Sequence, residues 1–281
     1  MKPDCDADFY RTGYEGYESL SSFPDRAALE AYRRLLLKKT ELQVEFIARR
    51  FAKPGLRVIE FCCGNGRLLT ALALRGLIEY GIGLEISQSR VAFAERWAAD
   101  LGLNNIKYHV ADVLRPVPVA AESYDLAVCI TGAFSYFRPI RENAPLELLA
   151  SMRNVLVPDG QLLIELYQMP ARREQLLALS DNSLRLWHPL PPEDRFAYYL
   201  DDFQYFPDHH TLRHEKIFIG RNGSIDAGRT EMLAYYSHDE ISSLLNTAGF
   251  TVSLADADFD AAPYQKGISE TMVILSKKQD I

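Results

Sequence analysis

Along the chain, apolar positions fall into short continuous runs and longer stretches of helical spacing, and the two kinds alternate. Val58, Ile59 and Phe61 form a run that predicts a buried strand, and Arg67 to Leu74 follows with the spacing of an amphipathic helix. The same order repeats. Tyr80 to Ile86 predicts a second strand, Gln88 to Leu101 a helix, and Ile106 to Val110 a third strand, with Gly76 and Gly102 stopping the two helices. Tyr124 to Ile130 is nearly all apolar, as a strand covered on both faces should be. Pro145 to Leu156 predicts a helix, and Val157-Pro158-Asp159-Gly160 turns into a fifth strand from Gln161 to Tyr167. Alternation through residues 57–167 predicts a parallel sheet of right-handed crossovers with helices on both faces, the α/β class.

The flanks read differently. From Asp25 to Phe51, the residues Leu29, Tyr32, Leu36, Thr40, Val44 and Ile47 recur at helical spacing, and the basic run 33–39 reads as a solvated face. After a helix near Arg172 to Leu179, three strands are predicted at Phe196 to Phe206, Thr211 to Gly220 and Thr230 to Tyr236. Asn222-Gly223 is a hairpin signal, so these strands predict an antiparallel cap, placed at about 183–236. Ser237 to Glu240 opens a further helix that ends at Gly249, and strands at Thr251 to Ala255 and Thr271 to Ser276 close the chain. The organisation expected is a helical extension over 1–53 and an α/β domain over 54–281 carrying the cap. Residues 1–23 are polar and tyrosine-rich, and read either as a tail or as a lid that uses the rings of Tyr10, Tyr14 and Tyr17.

Composition narrows the partners. A net charge of −7 argues against nucleic acid or an anionic membrane, since either selects a basic face. No signal peptide is visible and no apolar run approaches the roughly 20 residues that span a bilayer, so a cytoplasmic protein is expected. Cys5, Cys62, Cys63 and Cys129 show neither metal-ligand nor disulfide spacing, and no metal site is expected.

The candidate chemistry begins at Glu60-Phe61-Cys62-Cys63-Gly64-Asn65-Gly66-Arg67. Glycines at 64 and 66 let the backbone turn tightly and approach a ligand, and the amides opening the next helix would face it. A dinucleotide turn would carry a third glycine where Leu69 stands, and Glu60 is a poor neighbour for a pyrophosphate but a good one for an ammonium group. A cationic cofactor is therefore favoured over NAD. Glu85 ends the second strand, where an acid can accept from ribose hydroxyls. The third strand runs into Ala111-Asp112-Val113 and the fourth into Thr131-Gly132-Ala133-Phe134-Ser135-Tyr136-Phe137.

In that order, these motifs resemble those of class I S-adenosylmethionine (SAM) dependent methyltransferases, over about residues 55–170 by motif and 237–277 by layout. Glu60-x-x-x-Gly64-x-Gly66 resembles the first motif, and Leu156-Val157-Pro158-Asp159-Gly160 the helix-turn-strand signature. The resemblance implies a Rossmann-like sheet and SAM as cofactor. It places Glu60, Cys62, Gly64, Asn65, Gly66, Arg67, Glu85, Ile86, Ala111, Asp112, Val113, Ile130 and Thr131 around the cofactor, with Tyr14 and Tyr17 closing over it. An acid at Asp112 would bond the adenine amino group. The fourth motif lacks the Asn-Pro-Pro-Tyr or Asp-Pro-Pro-Tyr of many DNA and protein-amide methylases, which points to a small-molecule acceptor.

Candidate bases are Tyr136, Tyr167, His188, Tyr198, Tyr199, Asp201 and His238, of which Tyr136, Tyr167 and His188 are singled out as catalytic; no two sit at a spacing that identifies a dyad. Attack on the aminopropyl arm of SAM with release of 5′-methylthioadenosine, a catalytically silent SAM-binding scaffold, and a homodimer all stay open at this stage.

Overall fold

The computed structural model describes residues 23–51, 55–190, 192 and 196–279, with the side chains of 226–229 excepted. Tyr10, Tyr14 and Tyr17 lie outside the described residues. A seven-stranded sheet runs in the order β10-β11-β5-β4-β1-β2-β3. Its members are β1 (Leu56–Phe61), β2 (Ile78–Glu85), β3 (Ile106–Val110), β4 (Tyr124–Cys129), β5 (Leu156–Tyr167), β10 (Phe250–Asp256) and β11 (Thr271–Lys278). Strands β1 to β5 are mutually parallel, while β11 runs antiparallel to both β5 and β10. The parallel core follows the predicted alternation, and the fold is the Rossmann-like α/β type.

Seven α-helices connect these strands among the described residues: α1 (Arg26–Arg50), α2 (Arg67–Leu74), α3 (Gln88–Asp100), α4 (Phe137–Ile140), α5 (Ala144–Val155), α6 (Pro170–Leu177) and α7 (His238–Thr247). Their starts are locally encoded. The Asp25 carboxylate accepts from the Ala28 amide at 2.8 Å, and Ser237 with Glu240 closes a reciprocal capping box. The period of two in β1 divides the core. Leu56 and Val58 point to the layer of α1, α2 and α3, and Ile59 and Phe61 to the layer of α5 and α7. Arg33, 2% exposed, pins α1 to α3: it pairs with Asp100 at 2.9 Å and lies over the rings of Phe93 and Trp97.

The cap has four strands where three were expected. It is a four-stranded antiparallel sheet, β6-β7-β8-β9, formed by Ser183–Pro189, Phe196–Phe206, Thr211–Gly220 and Ile225–Ala234. Strand β6 was not among the expected strands, because Arg185 and His188 interrupt its apolar character. Its period of two is nonetheless present, with Arg185, Trp187 and Pro189 exposed and Leu184, Leu186 and His188 on the opposite face. The last cap strand starts at Ile225 rather than Thr230. Leu212, Leu233, Phe203 and Tyr205 bury the cap against Leu176 of α6 and Tyr235.

Two glycines with positive φ separate backbone need from packing need. Gly66 (φ 75) leaves no room: a Cβ there would meet the Tyr108 ring at 2.6 Å, whereas Gly76 (φ 64) has nothing within 4 Å. Gly76→Ala should cost the backbone term alone, about 1–2 kcal/mol. Gly66→Ala should add an overpacking cost of about 1–3 kcal/mol. Urea midpoints at constant m-value measure both, and equal losses would refute the role given to Tyr108.

Candidate active site

The carboxyl ends of β1, β2, β3 and β4 open on one cavity of about 1060 Å³, roofed by the inward face of the cap. The crevice lies where the strand order reverses, between β1 and β4, which is where open α/β sheets bind ligands. Both strands leave it through a left-handed non-glycine residue, Cys62 (φ 58) after β1 and Thr131 (φ 61) after β4. For a β-branched residue such as Thr131 this conformation is strained, and it persists only where neighbours fix it. They do. The Thr131 amide donates to Glu165 Oε2 at 2.6 Å, and Arg67 Nη2 donates to Thr131 Oγ1 at 2.6 Å.

Arg67 itself is a clamp. Its Nη1 donates to Thr40 Oγ1 at 2.7 Å and Gln43 Oε1 at 2.8 Å, so one guanidinium joins α1, α2 and the loop after β4. It lines the cavity, but these bonds engage it with protein. Cys62, Gly64, Asn65, Ile86, Ala111, Asp112, Val113, Ile130 and Thr131 also line the cavity. Gly66 does not: its carbonyl accepts from the Tyr108 hydroxyl at 3.1 Å, behind the wall.

Three acids ring the strand ends. Glu85, 7% exposed, accepts from the Gly64 amide at 3.0 Å through Oε2 and from the Ser87 amide at 3.0 Å through Oε1. Each carboxylate oxygen has a second lone pair, so Glu85 can still accept from a ligand hydroxyl. Asp112 accepts from the Leu114 amide at 3.1 Å and lies 3.4 Å from Arg115 Nε. Glu60 is different: it is 4% exposed, and its buried Oε2 has no hydrogen-bond partner. Burial pushes its carboxyl up to about 8, helped by the Glu85 charge and opposed by Arg67. An orphaned, buried carboxylate of this kind fits a cationic group such as an ammonium. The residues therefore fit a positively charged nucleoside cofactor.

The other half of the cavity is bounded by Tyr136, Tyr167, Met169 and, from the cap, His214, Lys216, Glu231 and Leu233. Burial pushes the Tyr167 phenol up to about 12, so it keeps its proton near neutrality and can donate but not act as a base. His188 is not on the cavity wall. It stacks on Tyr199 with centroids 4.3 Å apart, and its Nε2 lies 2.9 Å from Asp201 Oδ2, off line for a hydrogen bond. The histidine that does reach the cavity, His214, escaped the sequence reading. Its Nε2 contacts Asp201 Oδ1 at 2.6 Å, and its ring stacks on Phe203 at 4.2 Å.

The sequence matches the methyltransferase domain family over residues 52–206, more than half of its length. The chain belongs to that family. It is a class I SAM-dependent methyltransferase, and SAM is its cofactor. A ubiquinone biosynthesis O-methyltransferase of Hahella chejuensis (strain KCTC 2396) is 28% identical over 89 residues, 32% of this chain; the match spans only 36% of that relative. The CcbJ methyltransferase from Streptomyces caelestis shares the fold with TM-score 0.72 and 19% identity, over 85% of this chain and 89% of that one. A SAM-bound amino pentose methyltransferase from Micromonospora echinaspora does so with TM-score 0.63 and 15% identity, over 91% and 98%. Among the described residues no helix is long and apolar enough to cross a membrane.

The orphaned Glu60 carboxylate has a measurable signature. Its folded pKa of about 8 lies above the unfolded value, so the folded state holds the extra proton between about pH 4.5 and 8. Stability of the ligand-free protein should fall as pH rises through that window, by on the order of 5 kcal/mol in all. Glu60→Gln should flatten the slope, raise the melting temperature at pH 8 and weaken S-adenosylhomocysteine binding. A variant melting in parallel with the parent from pH 5 to 8 would remove the basis for the assignment.

Proposed function

We propose that the chain transfers the methyl group of SAM to a small-molecule acceptor held between the sheet edge and the cap. The observation that carries this reading is the continuity of the cavity. Its volume of about 1060 Å³ stands at the top of the range of roughly 300–1,000 Å³ for a single bound ligand, and it runs from the strand-end acids to the cap. When bound, SAM supplies a methyl carbon made electrophilic by its sulfonium. What the chain must add is position, worth on the order of 7–11 kcal/mol when nucleophile, carbon and sulfur are held in line.

In this reading Glu60 receives the ammonium of the methionine arm, Glu85 the ribose hydroxyls and Asp112 the adenine amino group, with the Val113 amide beside it, while the Ala111 amide is held by the Glu85 carbonyl at 2.8 Å. The walls of Cys62, Ile86, Ile130 and Thr131 keep water from the reacting centre. Tyr136 and Tyr167 bound the acceptor on the sheet side. A small acceptor is supported by the likeness to an amino pentose methyltransferase, whose shared fold includes most of this chain. It is supported also by the fourth motif, which lacks the residues that nucleobase methylases carry. Attack on the aminopropyl arm is the second reading. Its intramolecular form is disfavoured, because cyclisation needs no second half-cavity; transfer of the arm to an acceptor is separated from methyl transfer by the product released, 5′-methylthioadenosine rather than S-adenosylhomocysteine.

Calorimetric titration with S-adenosylhomocysteine tests the cofactor roles. Glu85→Ala and Asp112→Ala should each lose about 1.5–3 kcal/mol, roughly tenfold to over a hundredfold in affinity. Affinities within twofold of the parent would sink the assignment. Chromatography tests the reaction: SAM with protein alone should turn over little, and S-adenosylhomocysteine should accumulate once a suitable small molecule is added. Steady enzyme-dependent release of 5′-methylthioadenosine from SAM alone would overturn methyl transfer in favour of the second reading.

A further inference from the structure

Resting on the methyl-transfer reading, we infer that the cap makes an oxygen nucleophile: His214, held by Asp201, removes the proton of a phenolic hydroxyl, and Lys216 faces the phenolate. The product is then an aryl methyl ether. Asp201 is 7% exposed, and its Oδ1 lies 2.6 Å from His214 Nε2. An ionised carboxylate only accepts, so His214 Nε2 donates to it and the Nδ1 lone pair remains in the neutral ring. Phe203 stacks on the imidazole with centroids 4.2 Å apart and fixes its plane. Nδ1 points away from Asp201, toward Glu231 Oε2 at 3.9 Å, and both His214 and Glu231 line the cavity.

The charges around the ring match the two products of one proton transfer. A neutral hydroxyl that gives its proton to a neutral imidazole leaves an imidazolium and an oxyanion side by side. The imidazolium lies between Asp201 of β7 and Glu231 of β9. Glu231 has a partner of its own, so it belongs to the wall and asks nothing of the ligand. The oxyanion meets the ammonium of Lys216, which lines the cavity two residues along β8 from His214 and so on the same face. Among the described residues Lys216 is ion-paired to no carboxylate, although Asp201 stands opposite it in the register. An amine needs none of this, since its free form attacks without a base and is never negative. A hydroxyl oxygen that kept its proton would become an oxonium on methylation, so the proton has to leave as the O–C bond forms.

Proton affinity selects among hydroxyls. A phenol near pKa 10 is roughly three to four units above imidazole, within reach of a general base. Water, as a guide to an aliphatic hydroxyl, is near 15.7, about nine units away. The remaining wall suits an aryl ring, for Tyr136, Phe137, Met169 and Leu233 all line this half of the cavity. In the step, the phenol O–H proton passes to His214 Nδ1. An oxygen pair forms the O–C bond to the methyl carbon, and the C–S bond breaks with its pair remaining on sulfur. The products are the aryl methyl ether, S-adenosylhomocysteine and one proton, which His214 returns to solvent. Asp201 is a positioning residue in this scheme. The charged and titratable groups around the imidazole are Asp201, Glu231, Lys216 beside it on β8, Tyr167 across the cavity on β5, and His188 behind Asp201 on β6.

The test uses probes that share an aryl ring and differ at the nucleophile: 4-ethylphenol, 2-phenylethanol and phenethylamine, each with SAM and the full-length protein. A fourth, 4-nitrophenol, is already largely ionised at pH 8. The phenols should yield methyl ethers, while the alcohol and the amine should yield no methylated product. With 4-ethylphenol, His214→Gln should lower kcat at neutral pH by at least a hundredfold while leaving S-adenosylhomocysteine affinity within twofold. That deficit should shrink as pH approaches the pKa of the phenol, and should be under tenfold with 4-nitrophenol at pH 8. A phenolate needs no base, whereas a packing defect would persist in both. Asp201→Asn should lower kcat about tenfold with the same pH trend. Lys216→Met should lower kcat/KM for 4-nitrophenol about tenfold, and Lys216→Arg should recover most of it. Methylation of the alcohol or the amine as fast as the phenols overturns this inference and leaves methyl transfer standing. So does a His214→Gln loss under threefold, or one independent of pH and of phenol acidity. If S-adenosylhomocysteine binds and no probe is methylated, the acceptor class assigned here is wrong. If neither SAM nor S-adenosylhomocysteine binds, the methyl-transfer reading fails first.

Discussion

The parting of two neighbouring parallel strands, β1 and β4, is the constraint on which the rest of the molecule depends. Their connections leave on opposite sides of the sheet, so the backbone between their carboxyl ends has to open, and it opens through left-handed residues at Cys62 and Thr131. A turn of that kind at a threonine is not self-sustaining. The Glu165 carboxylate and the Arg67 guanidinium hold it, and Arg67 is in turn held by Thr40 and Gln43 of α1. The long first helix is thus more than an appendage. It supplies two of the three acceptors that immobilise the arginine beside Glu60.

The same arrangement explains why so much acid can be buried at one edge. Glu85 accepts two backbone amides, and at Glu165 burial pushes the carboxyl up while the Thr131 amide opposes it. Glu60 has an oxygen with no partner, and it bears the desolvation that results. A site kept in this state before its ligand arrives is less stable than its surroundings would allow. The difference is returned when a cation binds, since anything that binds only the folded form stabilises it.

Much of this was legible in the chain, for a physical reason. Parallel strands covered on both faces must be apolar and short, so acids at or near their carboxyl ends stand out, and Glu60, Glu85 and Asp112, singled out on that ground, all line the cavity. Gly66 was read as a cofactor contact because a glycine in such a turn serves either a ligand or a neighbour. Only the structure shows Tyr108 occupying the space where its Cβ would be. Arg67, placed at the cofactor by the resemblance, does line the cavity, and the structure adds the three side chains that hold it. The cap hid more. Whether an imidazole on a half-buried antiparallel strand points in or out depends on register, and register across β6 to β9 is set by pairings between residues up to some tens of positions apart. His188 was visible beside Trp187, while His214 sat among charges in Arg213-His214-Glu215-Lys216 and was not singled out.

Division of labour between backbone and side chains follows from these two architectures. At the sheet edge the geometry rests on turns, amides and one half-buried arginine, so most substitutions there disturb the fold as well as the site. On the cap the inward residues of β7, β8 and β9 stand on a regular ladder whose hydrogen bonds do not involve their side chains. Exchanging one inward side chain leaves that ladder intact and changes only what the cavity presents. The strand-end half of the cavity is therefore constrained by folding more tightly than the cap half, where side chains can change without disturbing the sheet beneath them.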